Sequence, residues 1–124
     1  MGQMDADADR IARFIHRQDA ADAASAVERR TRLTSEARSL ARRLVEGFGA
    51  SRVWLFGSLV WGHPDDASDL DLAAEGLAEE SYFRALAALL RDSAVPVDLV
   101  RLEEAPPSLR ERILEGGLLL EGAE

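Results

Sequence analysis

The run Arg52-Val53-Trp54-Leu55-Phe56 leaves little freedom in what this chain can fold into. A strand turns alternate side chains to opposite faces, and here both faces are β-branched, aliphatic or aromatic, so the run belongs inside a sheet. Gly57-Ser58 then closes it. A glycine at that point lets backbone approach a ligand, and the serine hydroxyl with neighbouring N–H groups can hydrogen-bond phosphate oxygens. Ten intervening residues later, Asp69-Leu70-Asp71-Leu72-Ala73 reads as a second strand. Its period of two puts both carboxylates on one face and both leucines on the other.

Two like charges held that close repel unless one is protonated or a cation bridges them. Hard oxygen donors suit Mg²⁺, which takes a few carboxylates together with substrate phosphates. Val97-Asp98-Leu99-Val100, bounded by Pro96, supplies a third acid in a strand-like apolar run, where an isolated carboxylate is costly to bury without a partner. Asp69, Asp71 and Asp98 are therefore the candidate metal-binding and catalytic residues. Gly57, Ser58 and the loop residue Ser68 beside the first aspartate are the candidate nucleotide-binding residues, although Ser58 reads equally as a plain turn hydroxyl. The alternation Asp5-Ala6-Asp7-Ala8-Asp9 is a decoy. No apolar strand frames it, residues two apart share no helix face, and Arg10 stands where a calcium loop needs glycine.

Composition narrows the chemistry further. Cysteine is absent, which excludes disulfides, thiolate metal sites and thiol nucleophiles. Every basic residue is arginine, so a phosphate-binding or Schiff-base lysine is excluded and phosphate charge falls to metal, arginine or backbone. The formal net charge is −8, and residues 51–124 hold 6 arginines against 15 acids. That field opposes nonspecific nucleic-acid binding and attracts a basic partner protein, which argues against a DNA-polymerising role. No apolar stretch reaches the ~20 residues of a membrane span and no basic-then-apolar leader opens the chain, so a cytoplasmic location is expected.

By length the 124 residues make one domain, with 1–50 a helical N-terminal extension and 51–124 the catalytic core. So small a chain is expected to complete its binding surface with a partner protein or as a homo-oligomer. The extension is rich in Ala and Arg and free of proline. Thr34-Ser35 reads as an N-cap before a docked helix through Ala37, Leu40, Leu44 and Phe48, stopped at Gly47 and Gly49. Ile11, Phe14 and Ile15 form only a narrow stripe before it. Strands are predicted over 52–57, 69–74, 97–102 and 118–121. A crossover helix over 79–91 carries Phe83, Leu86, Leu89 and Leu90, and a last helix starts at Pro106-Pro107 and ends at Gly116-Gly117. The fold class is α/β (α+β), a small mixed sheet of about four strands with helices packed on one face. Of the remaining polar residues, His63 reads as a loop histidine, Arg101 as a surface partner of Glu103 or Glu104, and Arg29, Arg30 and Arg32 as a solvated face. Trp61 reads as core packing or a shelf for a base.

Taken together, Gly57-Ser58, the ten-residue spacing, Asp69-Leu70-Asp71 and Asp98 on a later strand resemble the minimal nucleotidyltransferases of the DNA polymerase beta superfamily. The likeness runs over residues 52–122, and 113–120 resemble that family's last helix and strand. One residue departs: family members often carry Arg before the glycine that closes this turn, and here Trp61 precedes Gly62. The resemblance implies transfer of a nucleoside monophosphate, AMP from ATP, to a hydroxyl, with two Mg²⁺ ions bridged by Asp69 and Asp71 and with Asp98 on the acceptor side. It implies a protein acceptor, with the chain as antitoxin to a HEPN-type toxin. Two alternatives remain: transfer to a small hydroxylated molecule such as an aminoglycoside, or a binding antitoxin without turnover.

Overall fold

The structure, a computed structural model, describes residues 2–62 and 69–123, with side chains described from residue 25 onward. His63 and Ser68 lie outside the described residues, as do the side chains of Asp5, Asp7, Asp9, Ile11, Phe14 and Ile15. The elements run α1 (Gly2–Phe48), β1 (Arg52–Phe56), α2 (Ser58–Trp61), β2 (Leu70–Glu75), α3 (Tyr82–Asp92), β3 (Val97–Arg101), α4 (Pro107–Gly116) and β4 (Leu118–Glu121). The strands stand within a residue or so of the expected bounds, because each is a short apolar run enclosed by Gly, Ser or Pro.

The sheet has the order β3-β2-β1-β4, with β1 antiparallel to both β2 and β4 and with β2 parallel to β3. It is the mixed four-stranded sheet that the sequence implies. A parallel neighbour needs a crossover, and α3 supplies it. Val53 and Leu55 of β1, Leu70, Leu72 and Ala74 of β2, and Leu99 of β3 meet Leu33, Leu40 and Leu44 of α1 and Ala85 and Leu89 of α3 in the larger core. On the opposite face Trp54, Phe56 and Ala73 meet Leu102 and Ile113 in a smaller one. Thus α1 and α3 cover one face as expected, while α4 covers part of the other. The reason lies in β1 itself, whose Trp54 and Phe56 would otherwise be left in water.

Two expectations about the helices are corrected. Thr34-Ser35 is no N-cap, since α1 runs unbroken through it. Buried Leu33 lies just before that pair and continues the stripe of Ala37, Leu40, Ala41 and Leu44 at helical spacing, and no proline occurs in residues 1–50. The helix does stop where expected: Gly49 takes φ +80°, and the N–H groups of Gly49 and Ala50 donate to Val45 and Leu44 oxygens. In α3 the buried stripe is Ala85, Ala88 and Leu89 with Tyr82 and Leu86 packed beside it, and Phe83 is 79% exposed and Leu90 50%. Alanines close to the sheet let the helix sit tight there, which turns the two larger side chains outward. Among the described residues no helix is long and apolar enough to cross a membrane.

Candidate active site

Alternation in β2 sends Leu70, Leu72 and Ala74 into the larger core and leaves Asp71 on the α4 side of the sheet, with Ala73. In the parallel pairing Asp71 stands opposite Asp98. Partners in adjacent strands share a face about 5 Å apart, so these two carboxylates are neighbours although they are far apart in the chain. Asp69, just before β2, is half-buried and acts on the same group. Burial, then the charge of Asp69, then that of Asp98 push the Asp71 carboxyl up to about 6. The three acids that the sequence singled out thus meet electrostatically.

The glycine turn packs directly on this group. Phe56 pairs with Asp71 across the sheet, and Gly57 follows with φ +81°. A Cβ on Gly57 would collide with Asp71 Oδ2 and stand 2.8 Å from Asp71 Cγ. Both the positive φ and this close approach require glycine. Ser58 opens α2, a single turn closed by the N–H groups of Val60 and Trp61 donating to the Gly57 oxygen at 3.1 and 2.8 Å. Among the described residues the Ser58 hydroxyl makes no hydrogen bond, so it is available to a ligand.

Among the described residues, no three acid or histidine side chains are arranged closely enough to hold a metal ion as they stand. The fit to a divalent cation rests instead on the donor set. Three carboxylates offer hard oxygens, and burial together with the charges of Asp69 and Asp98 raises Asp71, a penalty on its charged form that a bound cation would offset.

Two further residues pack and pair as the sequence indicated, and one has a role it did not reveal. Trp61 packs against α4: its indole N–H donates to the Gly116 oxygen at 3.0 Å, its ring centroid lies 5.9 Å from that of Phe56, and the Arg112 guanidinium lies 3.9 Å over it. Arg101 pairs with Glu104 and also donates to the Leu77 oxygen at 2.8 Å, as the surface-pairing reading expects. Tyr82 is a neighbour of Asp98 that pattern reading missed. Its hydroxyl donates to the Leu99 oxygen at 2.6 Å, and burial together with Asp98 and Glu104 pushes its phenol up. Only the pairing of α3 with β3 could reveal it. A groove of about 1450 Å³ runs along α1 from Val27 to Phe48 and touches none of the three acids. Chemistry, rather than cavity size, marks the site.

Comparison with known proteins bears on the family and the fold. The family described as "Polymerase beta, Nucleotidyltransferase" matches residues 40–124. A solved minimal nucleotidyltransferase is 33% identical over 66% of this chain and 87% of that one, with a TM-score of 0.54. The fold is also that of a chain in a toxin–antitoxin structure with AMP-PNP, at 23% identity over 73% and 74% of the two chains and a TM-score of 0.57. It recurs in the tri-AMPylated Shewanella oneidensis HEPN toxin in complex with its MNT antitoxin, at 22% identity over 76% and 73% with a TM-score of 0.54. No curated protein sequence matches the chain. The fold and the matched segment define a nucleotidyltransferase domain. Within that class, the chain belongs to the minimal nucleotidyltransferases of the DNA polymerase beta family.

Proposed function

We propose that this chain is a Mg²⁺-dependent nucleotidyltransferase that moves AMP from ATP to a hydroxyl on a partner protein in the cytoplasm, as the antitoxin of a HEPN-type toxin. The observation that carries the reading is the register of Asp71 beside Asp98 with Gly57 packed against the carboxylate between β1 and β2. The likeness to a fold found beside an AMPylated toxin supports the choice of acceptor. The unit doing this work is taken as one domain, with residues 51–124 its core.

Asp69 and Asp71 would hold the metal ions between them, and Asp98 would stand on the acceptor side. Bound there, Mg²⁺ would lower the pKa of the acceptor hydroxyl and neutralise the leaving oxygens. Gly57 leaves room for the triphosphate to lie against the backbone, and Ser58 donates a hydrogen bond to its terminal phosphates. The acceptor oxygen attacks the α-phosphorus, the bond from that phosphorus to the bridging oxygen breaks, and pyrophosphate leaves. The acceptor proton passes to Asp98 and from there to water.

Incubating the protein with α-labelled ATP, Mg²⁺ and the helical product of the neighbouring gene should label that partner. The label should disappear with Asp71→Asn. An unlabelled partner despite intact nucleotide binding would remove the reading. The placement of Trp61 where an arginine often stands favours one second reading, a protein that binds and protects without turnover. In that case Asp69→Asn with Asp71→Asn would leave protection of the cell unchanged.

A further inference from the structure

A triphosphate beside three aspartates needs a positive group of its own, and this chain has no lysine. Of the arginines in residues 51–124, most are already engaged. Arg52 holds Glu75, Arg101 holds Glu104, and Arg110 donates to the Leu102 and Glu103 oxygens. Arg84 and Arg91 belong to α3, on the far face of the sheet. Arg112 remains. It stands on α4, next to Ile113, which packs on the face that carries the acids, and among the described residues it makes no ion pair.

Its position is set by Trp61. That ring is fixed on one edge by the hydrogen bond to the Gly116 oxygen and lies against Phe56, the residue paired with Asp71. The backbone N–H of Trp61 closes the turn that Gly57 begins. The guanidinium therefore lies 3.9 Å over the ring of a residue in the glycine-serine turn, and Arg112 is exposed to solvent. Stacking a guanidinium on an aromatic face fixes its plane while leaving the N–H groups at its edge free to donate, and that edge matches phosphate oxygens. The charges acting on Asp71 are those of Asp69 and Asp98. Arg112 thus stands across Trp61 and Phe56 from Asp71, on the side of the glycine-serine turn.

We propose that Arg112, presented by α4 on the face of Trp61, binds the β- and γ-phosphates of the nucleoside triphosphate and so supplies from another element the cation missing at position 61. This rests on the nucleotidyltransferase reading above. The residue is a determinant of triphosphate over monophosphate binding, and Trp61 is its platform.

Calorimetric titration of the full chain with ATP and with AMP, each with Mg²⁺, tests it. Arg112→Ala should weaken ATP binding about tenfold while AMP binding stays within about twofold. Arg112→Lys should fall between, since it keeps the charge and loses the planar fork. Trp61→Arg placed on Arg112→Ala should restore much of the ATP affinity. A merely structural Arg112 would shift the melting temperature and both nucleotides alike. Unchanged ATP affinity in Arg112→Ala, with a melting temperature near wild type, would overturn the proposal and leave the nucleotidyltransferase reading intact. Should the wild-type chain itself bind neither nucleotide, that wider reading falls, and this proposal with it.

Discussion

Asp71 and Glu75 stand four residues apart on β2 and titrate in opposite directions. Two hydrogen bonds from Arg52, at 2.7 and 2.8 Å, hold the Glu75 carboxyl below its ordinary value. Its contribution to stability is present above the unfolded pKa and is lost as pH falls through the folded one. Asp71, raised from 3.8 to about 6, behaves in reverse. Between those values the folded chain keeps a proton that the unfolded chain has released, so stability falls as pH rises across that window. In chelator at pH 7 to 8, Asp71→Asn should therefore be more stable than wild type by on the order of 1 kcal/mol, a figure reduced for solvent screening of a half-exposed group. The gap should close by pH 4, and thermal melts at both pH values check it. Mg²⁺ should raise the melting temperature of the wild type above pH 6 and do little for Asp71→Asn, because the ligand must be deprotonated to bind. Gly57→Ala should cost about 1 to 3 kcal/mol from its backbone alone, since φ +81° with ψ −155° is a region essentially closed to residues with a side chain. It should also displace the Asp71 carboxylate, so nucleotide transfer should fall at least tenfold, as a labelled-ATP assay would read.

At the scale of elements, α4 joins stability to the candidate site. Ile113 is fully buried against Trp54, Phe56 and Ala73, and the same helix ends at Gly116, whose oxygen receives the Trp61 indole N–H. Ile113→Ala should lose about 2 to 4 kcal/mol in urea unfolding, and it should loosen Trp54 and Trp61, which both belong to its cluster, seen as a red shift in tryptophan emission. On the other face Leu44 of α1 is fully buried. Leu44→Ala should cost about as much and leave Trp61 emission unmoved. Strands were legible in the sequence because each is a short apolar run with its own boundary residues. Helix faces were less so. On α3 the pattern named Leu86 and Leu89, which do pack, but missed Ala85 and Ala88, which carry little hydropathy, and included Phe83 and Leu90, which face outward. On α1, Thr34 and Ser35 have the chemistry of a cap without the position of one, since Leu33 before them already packs on the sheet.

Across the whole molecule, charge is divided. The first fifty residues are nearly balanced, while residues 51–124, with 6 arginines against 15 acids, set an acidic field around the three aspartates. Such a surface should show no binding to nonspecific duplex DNA in fluorescence anisotropy at about 0.1 M salt. Spacing and residue type alone were enough to single out Asp69, Asp71, Asp98 and the Gly57-Ser58 turn as candidates, because a strand's period of two and the cost of an isolated carboxylate are local properties of the chain. Which of those groups meet is a different matter. The parallel register of Asp71 with Asp98, the contact of Gly57 with Asp71 Oδ2, and the seating of Arg112 on Trp61 all join residues that local pattern cannot relate. Those meetings were decided only when the crossover through α3 and the packing of α4 closed the molecule, since contacts between distant parts of a chain depend on how its elements are placed and not on the run of residues within any one of them.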